Sequence, residues 1–270
     1  MGIVNVTPDS FSDGGRWFDH EAAVEHGREL AVAGADIVDV GGESTRPGAR
    51  RPSEQEELDR ILPVVAALAR TRLRVSIDTM RASVAAAALD AGADIVNDVS
   101  GGLADPGMLP LVASTGATYV TMHWRGHGDS MQQRAVYDDV VAEVRGELLA
   151  RVEAAEAAGV GADRIVIDPG LGFAKTAEHN WQLMARMREF TELGYRVLVG
   201  ASRKTFLGRL GGAEAPVPPA RRDAATAATS LLCAQAGVWA VRVHDVPSTL
   251  AALQVHEAVS AWGEVSGGAS

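Results

Sequence analysis

The chain has 270 residues, 47 % hydrophobic and 22 % charged, a balance that lets it bury a sizeable core without disulfides or metals. Its net charge of -10 opposes nucleic acid and anionic membrane surfaces, so neither is an expected partner. The single cysteine, Cys233, cannot form an internal disulfide, no apolar run approaches the roughly 18 residues of a membrane span, and no signal-peptide pattern is present, so a cytoplasmic protein is expected.

In chain order, short runs rich in valine and isoleucine centre on Ile3, Ile37, Val75, Ile95, Val120, Val166, Leu198 and Val241, making eight strand candidates. Strands buried on both faces read this way. Helical patterns lie between them. Leu58, Ile61, Leu62, Val65 and Leu68 share one face, and Val141, Val144, Leu148 and Val152 share another, each at spacings of three and four. Glycines close the helices before the strands, at Gly34, Gly92, Gly116, Gly159, Gly194 and Gly237, where a left-handed residue suits a helix end. Ala33-Gly34-Ala35-Asp36-Ile37-Val38-Asp39 is nearly repeated in Ala91-Gly92-Ala93-Asp94-Ile95-Val96-Asn97. Pro216-Val217-Pro218-Pro219 reads as a loop, and Cys233, inside Ser230-Leu231-Leu232-Cys233-Ala234, as a buried small hydrophobe. Eight β-then-α units predict an α/β fold, a single-domain (β/α)8 or TIM barrel over residues 1–265, with 266–270 a flexible C-terminal tail. A doubly wound sheet is the architectural alternative.

Active sites of such barrels lie at the C-terminal ends of the strands. Read in order, those ends carry Asn5, Asp39, Asp78, Asn97, His123, Asp168, Ser202 with Lys204, and Arg242 with His244. Any one of them alone could cap a helix; a polar group at every strand end argues for a functional ring. Asp78, Asn97 and Asp168 offer the paired donors and acceptors that suit a flat heterocycle with an amino-pyrimidine edge. Arg46, Arg203, Lys204, Arg242 and His244 make a locally cationic rim in an acidic protein, suited to an anionic ligand. The long segments Thr7–Gly15 and Gly41–Ala49 are candidate lids. Gly170-Leu171-Gly172-Phe173-Ala174-Lys175-Thr176 lacks the glycine before the lysine that a phosphate loop requires, and Gly126 argues against a helical zinc pair of His123 and His127. A Schiff-base role for Lys204 is the weaker reading beside its cationic neighbours.

These segments resemble one family. Gly2-Ile3-Val4-Asn5-Val6-Thr7-Pro8-Asp9-Ser10-Phe11-Ser12-Asp13-Gly14-Gly15 is similar to the opening signature of the dihydropteroate synthases, and Asp39-Val40-Gly41-Gly42-Glu43-Ser44-Thr45-Arg46-Pro47-Gly48 to their second. Ser76-Ile77-Asp78-Thr79, Asn97-Asp98-Val99-Ser100-Gly101, Met122-His123, Asp168-Pro169-Gly170-Leu171-Gly172-Phe173, Ser202-Arg203-Lys204 and Arg242-Val243-His244-Asp245 continue the match along nearly the whole chain. The resemblance implies condensation of 6-hydroxymethyl-7,8-dihydropterin pyrophosphate with p-aminobenzoate to dihydropteroate and pyrophosphate, with Mg²⁺ as cofactor, sulfonamides as inhibitors and a homodimer as the assembly. It implies catalytic roles for Asp78, Asp168, Lys204 and Arg242. The pterin site it implies comprises Asp78, Asn97, Met122, Asp168, Phe173, Gly200 and Lys204. The pyrophosphate site comprises Asn5, Thr45, Arg242 and His244, with Asn5 also the metal ligand, and the p-aminobenzoate site Phe11, Arg46, Pro47 and Ser202. Two alternatives stay open at this point, a pterin-dependent methyltransferase domain and a non-catalytic pterin-binding paralogue.

Overall fold

The computed structural model describes residues 1–7, 20–43, 51–126, 131–212 and 215–265. The expected tail at 266–270 therefore lies outside the described residues, as do most of both candidate lids. Strands and helices alternate: β1 (Gly2–Asn5), α1 (His20–Val32), β2 (Ile37–Gly41), α2 (Glu54–Leu68), β3 (Arg74–Asp78), α3 (Ala82–Asp90), β4 (Ile95–Asp98), α4 (Met108–Ser114), β5 (Thr118–Met122), α5 (Val140–Ala157), β6 (Ile165–Asp168), α6 (Ala177–Ala185), α7 (Arg188–Thr191), β7 (Arg196–Val199), α8 (Asp223–Gln235), β8 (Ala240–Val241) and α9 (Val246–Val265). Among the described residues no helix is long and apolar enough to cross a membrane.

The eight strands form one sheet in the order β1-β2-β3-β4-β5-β6-β7-β8, and every ladder is parallel. A doubly wound sheet would reverse its strand order at a switch point, and this sequential order does not. The sheet curls, bringing the start of β1 beside the residue two past β8. There the ladder shrinks to a single parallel bridge between Gly2 and Val243. The Ile3 N–H donates to the Val243 carbonyl at 3.1 Å, and the Val243 N–H to the Met1 carbonyl at 2.9 Å. On its other side the same segment still bonds β7, with the Arg242 N–H 2.9 Å from the Val199 carbonyl.

Side chains alternate across each strand, so the sheet has two faces of different character. The inner face carries Met1, Ile37, Ile95, Val120, Val166 and Leu198 as one buried apolar cluster. The outer face packs under the helices in a larger cluster that includes Val38, Val40, Val75, Ile77, Val96 and Ile167. Along α2 the buried apolar residues are Ile61, Val64, Val65 and Leu68, while Leu58 and Leu62 are half-buried, so the apolar face is turned slightly from the one its sequence spacing predicts. All four predicted positions of α5 are buried. Ser53 caps α2 with a reciprocal pair: its Oγ accepts from the Glu56 N–H at 3.2 Å, and its own N–H donates to Glu56 Oε2 at 2.7 Å.

Gly34 has φ 100°, and a Cβ there would stand 2.5 Å from Leu250 Cδ2, so this helix end requires glycine on both counts. Gly116 departs from the expected pattern. It does not take the left-handed conformation, because α4 ends one residue earlier in extended backbone at Thr115 (φ −103°, ψ 168°). Pro219 likewise opens a short 3₁₀ turn, Pro219–Arg222, where the sequence suggests loop. Cys233 is buried, and burial pushes its thiol up to about 12, as an inert core residue requires.

Candidate active site

Strand register sets the site. Asn5 is level with Gly41, Gly41 with Asp78, and Asp78 with Asn97, while Met122 is level with Asp168. These positions share the inner-face parity of Ile3, Ile37, Ser76, Ile95, Val120 and Val166, two residues earlier on their strands or further. They form the last row of that face at its C-terminal end. Met122 belongs to a small apolar wall with Met80 and Val99, against which Phe173 packs. The row thus offers carboxylate and amide groups beside an aromatic and two methionines, a slot for a flat polar ring.

A hydrogen-bonded network crosses the row. Arg242 Nε donates to Asp39 Oδ2 at 2.6 Å, and its Nη2 to Asp78 Oδ2 at 2.8 Å. Asn97 Nδ2 donates to the same Asp39 oxygen at 3.1 Å. Asp39 lies fully buried one layer beneath the row, and its Oδ1 has no hydrogen-bond partner among the described residues. One guanidinium therefore serves two carboxylates. Burial, opposed by Arg242 and reinforced by the negative charge of Asp39, lifts the Asp78 carboxyl to about 7. Burial also raises Asp168, against the pull of Lys204. Lys204 is lowered to about 8 by burial, with Asp168 opposing. Its Nζ donates to the Leu171 carbonyl and stands 4.5 Å from the centroid of the Phe173 ring. Asp168 Oδ1 accepts from the Gly170 N–H at 2.7 Å.

On the β7 and β8 side, Ser202 Oγ and His244 Nδ1 are 2.9 Å apart, and the His244 N–H donates to the same hydroxyl at 3.1 Å. A Cβ on Gly200 would meet Lys204 Nζ and Arg242 Cβ only at 3.9 Å, so the backbone here leaves room beside both cations.

Three sequence expectations change. His123 is not part of the inner ring: Met122 points inward, so its neighbour points outward, where His123 Nε2 lies 2.9 Å from Glu147 Oε2 and Nδ1 lies 2.9 Å from Lys175 Nζ. Arg203 is not a free rim cation, because its guanidinium pairs in a fork with both oxygens of Asp223 at 2.7 and 2.8 Å. Arg242 is drawn down into the network with Asp39 and Asp78. Phe11, Thr45, Arg46 and Pro47 lie outside the described residues. Two participants have no specific partner or ligand assigned from sequence: Asp39, read only as a member of the polar ring, and Lys175. Asp39 carries a usable signal, an acid two residues before the end of an otherwise apolar strand. Lys175 is hidden inside a segment that fails as a phosphate loop. Among the described residues, no group of three or more His, Cys, Asp or Glu side chains is placed to hold a metal.

Comparison with known proteins agrees with this geometry. The family model described as pterin binding enzyme matches residues 1–244. The chain is 56 % identical over 265 residues to the dihydropteroate synthase of Mycobacterium leprae (strain TN), covering 97 % of this chain and 92 % of that protein. The solved structure of Xanthomonas albilineans dihydropteroate synthase with 4-aminobenzoic acid superposes with a TM-score of 0.89 at 49 % identity, covering 96 % of this chain and 92 % of that one. That of Yersinia pestis dihydropteroate synthase in a sulfonamide drug complex has a TM-score of 0.89 at 41 % identity, covering 96 % and 93 %. With the family model matched over residues 1–244 and these relatives matched nearly end to end, the chain belongs to the dihydropteroate synthase family of pterin-binding enzymes, transferases of folate synthesis.

Proposed function

We propose that this row of side chains joins 6-hydroxymethyl-7,8-dihydropterin pyrophosphate to p-aminobenzoate, within one (β/α)8 barrel domain spanning residues 1–265. Barrel closure is supported by the backbone bonds between Met1–Ile3 and Val243, which tie the sheet's edges together. The observation that carries the reading is the shared inner-face row of Asp78, Asn97, Asp168 and Arg242, with Lys204 beside the Phe173 ring. Asp78, Asn97 and Asp168 would hold the pterin edge by paired hydrogen bonds, with Met122, Phe173 and Gly200 shaping the slot. Arg242 and His244, with Thr45, would take the pyrophosphate.

In this reading the methylene C–O bond breaks and its electron pair leaves with pyrophosphate. Nearby carboxylates stabilise the positive charge left on the pterin methylene. The aniline nitrogen then forms the new C–N bond and gives up a proton. No protein nucleophile takes part. Arg242 has the further task of exchanging Asp78 for phosphate oxygens when substrate enters, which frees that carboxylate for the pterin.

Asn5 contributes one neutral oxygen at the end of β1, a donor set that fits a cation arriving on substrate phosphates with its own waters rather than one held in a protein cage. Mg²⁺ bound there would neutralise charge on the leaving group. Ser202, with Phe11, Arg46 and Pro47, would form the p-aminobenzoate site, where sulfonamides compete. A homodimer and a cytoplasmic location complete the reading. The test is to incubate the purified protein with both substrates and Mg²⁺ and look for dihydropteroate. Its absence from folded protein would favour a methyltransferase domain or a non-catalytic paralogue. Sulfonamide inhibition that p-aminobenzoate does not relieve would show that the amine site is misplaced.

A further inference from the structure

The segment between β6 and α6 follows Asp168 directly and carries Phe173, the aromatic face of the slot. Its carbonyls are held one by one. Lys175 Nζ donates to the carbonyls of Gly170 and Phe173, each at 3.0 Å. Lys204 Nζ donates to that of Leu171, and the Tyr137 hydroxyl to that of Ala174 at 2.9 Å. Ala174 takes a left-handed backbone with φ 48°, a conformation that disfavours any residue with a Cβ and persists where neighbours enforce it. A Cβ on Gly170 would come within 2.6 Å of the His123 carbonyl, so the segment also lies tightly against the end of β5.

Lys175 is buried beside the outward-facing His123. An ammonium has three N–H groups. The two that the loop carbonyls take are present in the neutral amine as well, and Nζ stands 2.9 Å from His123 Nδ1. Glu147 Oε2, an acceptor, faces Nε2 at 2.9 Å, so a neutral imidazole carries its proton there and leaves Nδ1 to accept from Lys175. Burial, and then the charge of Lys175, push His123 down to about 4, which keeps the ring in this neutral acceptor form. Burial, and then the charge of Lys204, push the Lys175 amine well below its ordinary value, and a buried amine whose direct partners are two carbonyls and a neutral ring is a poor way to gain stability, since an apolar side chain of similar shape fills the same space without desolvating a polar group. Its geometric effect is specific: it orients the loop that carries Phe173.

We infer that Lys175 is a positioning residue for the pterin half of the reaction: from outside the strands it fixes the Gly170–Phe173 turn, so that Phe173 faces the Lys204 amine and the Asp168 carboxylate stays turned to the inner face. The inference rests on the reading of Asp168, Phe173 and Lys204 as the pterin pocket. The test is Lys175→Met, which keeps the length and removes the donors. Pterin pyrophosphate should bind about tenfold more weakly in calorimetry, with a matching rise in its KM, because donors to two loop carbonyls are lost. The KM for p-aminobenzoate should stay within about twofold, which separates a placement effect from a general loss of active protein. A lower melting temperature with pterin affinity unchanged would overturn the inference and leave Lys175 a purely structural residue. If Lys175→Met does not fold, His123→Asn and His123→Leu replace it. The asparagine oxygen keeps an acceptor where Nδ1 stands, and leucine removes it, so only the leucine variant should weaken pterin binding; equal effects would overturn the inference. Asp168→Asn separates the two layers of the argument. Normal pterin binding by that variant removes the pocket reading and the inference together, whereas weak binding by it beside normal binding by Lys175→Met removes the inference alone.

Discussion

Asp168 accepts the Gly170 N–H through one carboxylate oxygen, at 2.7 Å, which leaves its charge and remaining acceptor capacity to the ligand. Asp168→Asn puts a donor where the pterin edge presents donors, and exchanges a charge-assisted pair for a mismatch. Pterin affinity should fall about tenfold or more, in keeping with about 1.5–3 kcal/mol for a hydrogen bond to a charged group. Unchanged affinity in calorimetry would take Asp168 out of the site. A second residue-scale prediction concerns His123, held down to about 4 by burial and by Lys175. The unfolded chain takes up a proton at this ring near 6.5, while the folded protein does not until about 4. Between those values the unfolded state binds more protons, so stability from this site is intact above 6.5 and declines as pH falls through the window. The His123 ring resonances in NMR should therefore not titrate between about pH 5.5 and 8. A midpoint near 6.5 would contradict the buried network.

At the scale of elements, the eight strands are legible because each is a short run with β-branched residues, and α2 and α5 because each carries an apolar stripe with period near 3.6. Alternation also makes the inner row legible: once Asp168 and Met122 are placed on it, parity alone sends His123 to the outer face. The end of α4 is less legible, because glycine at position 116 looks like its counterparts, yet Thr115 has already ended the helix in extended backbone. The start of α2 is written plainly as Ser53 and Glu56, and both halves of the capping box form. Ser53→Ala should lower stability by about 1 kcal/mol in urea titration. Pterin affinity should not change, since the cap is exposed and lies on a helix behind the sheet. A variant as stable as the parent would show that water replaces the cap at no loss.

For the whole molecule, α9 exposes Val255, Val259 and Trp262, spaced four and three apart on one face, and the neighbouring α8 exposes Leu232. Exposed apolar side chains on one helical face are of the kind that copies of a chain can cover, and they support the proposed homodimer. Val259→Glu should shift sedimentation from dimer toward monomer while leaving the strand-end row untouched; a parent protein that already sediments as a monomer would refute that reading. By itself the sequence determined the strands, the apolar face of α5 and, to within a slight turn, that of α2, and the identity of the strand-end polar groups, because period and residue type are local properties that chain neighbours enforce. It also carried the family, since the loop signatures lie contiguous in the chain. Tertiary structure alone decided the partners. Arg242 meets Asp39 and Asp78 across the curled sheet, Arg203 turns to Asp223, and Lys175 reaches His123 over a separation of 52 residues. No local pattern encodes such pairings. They follow from which charges are brought together once water is excluded, and the cost of leaving a buried charge unpaired decides among them.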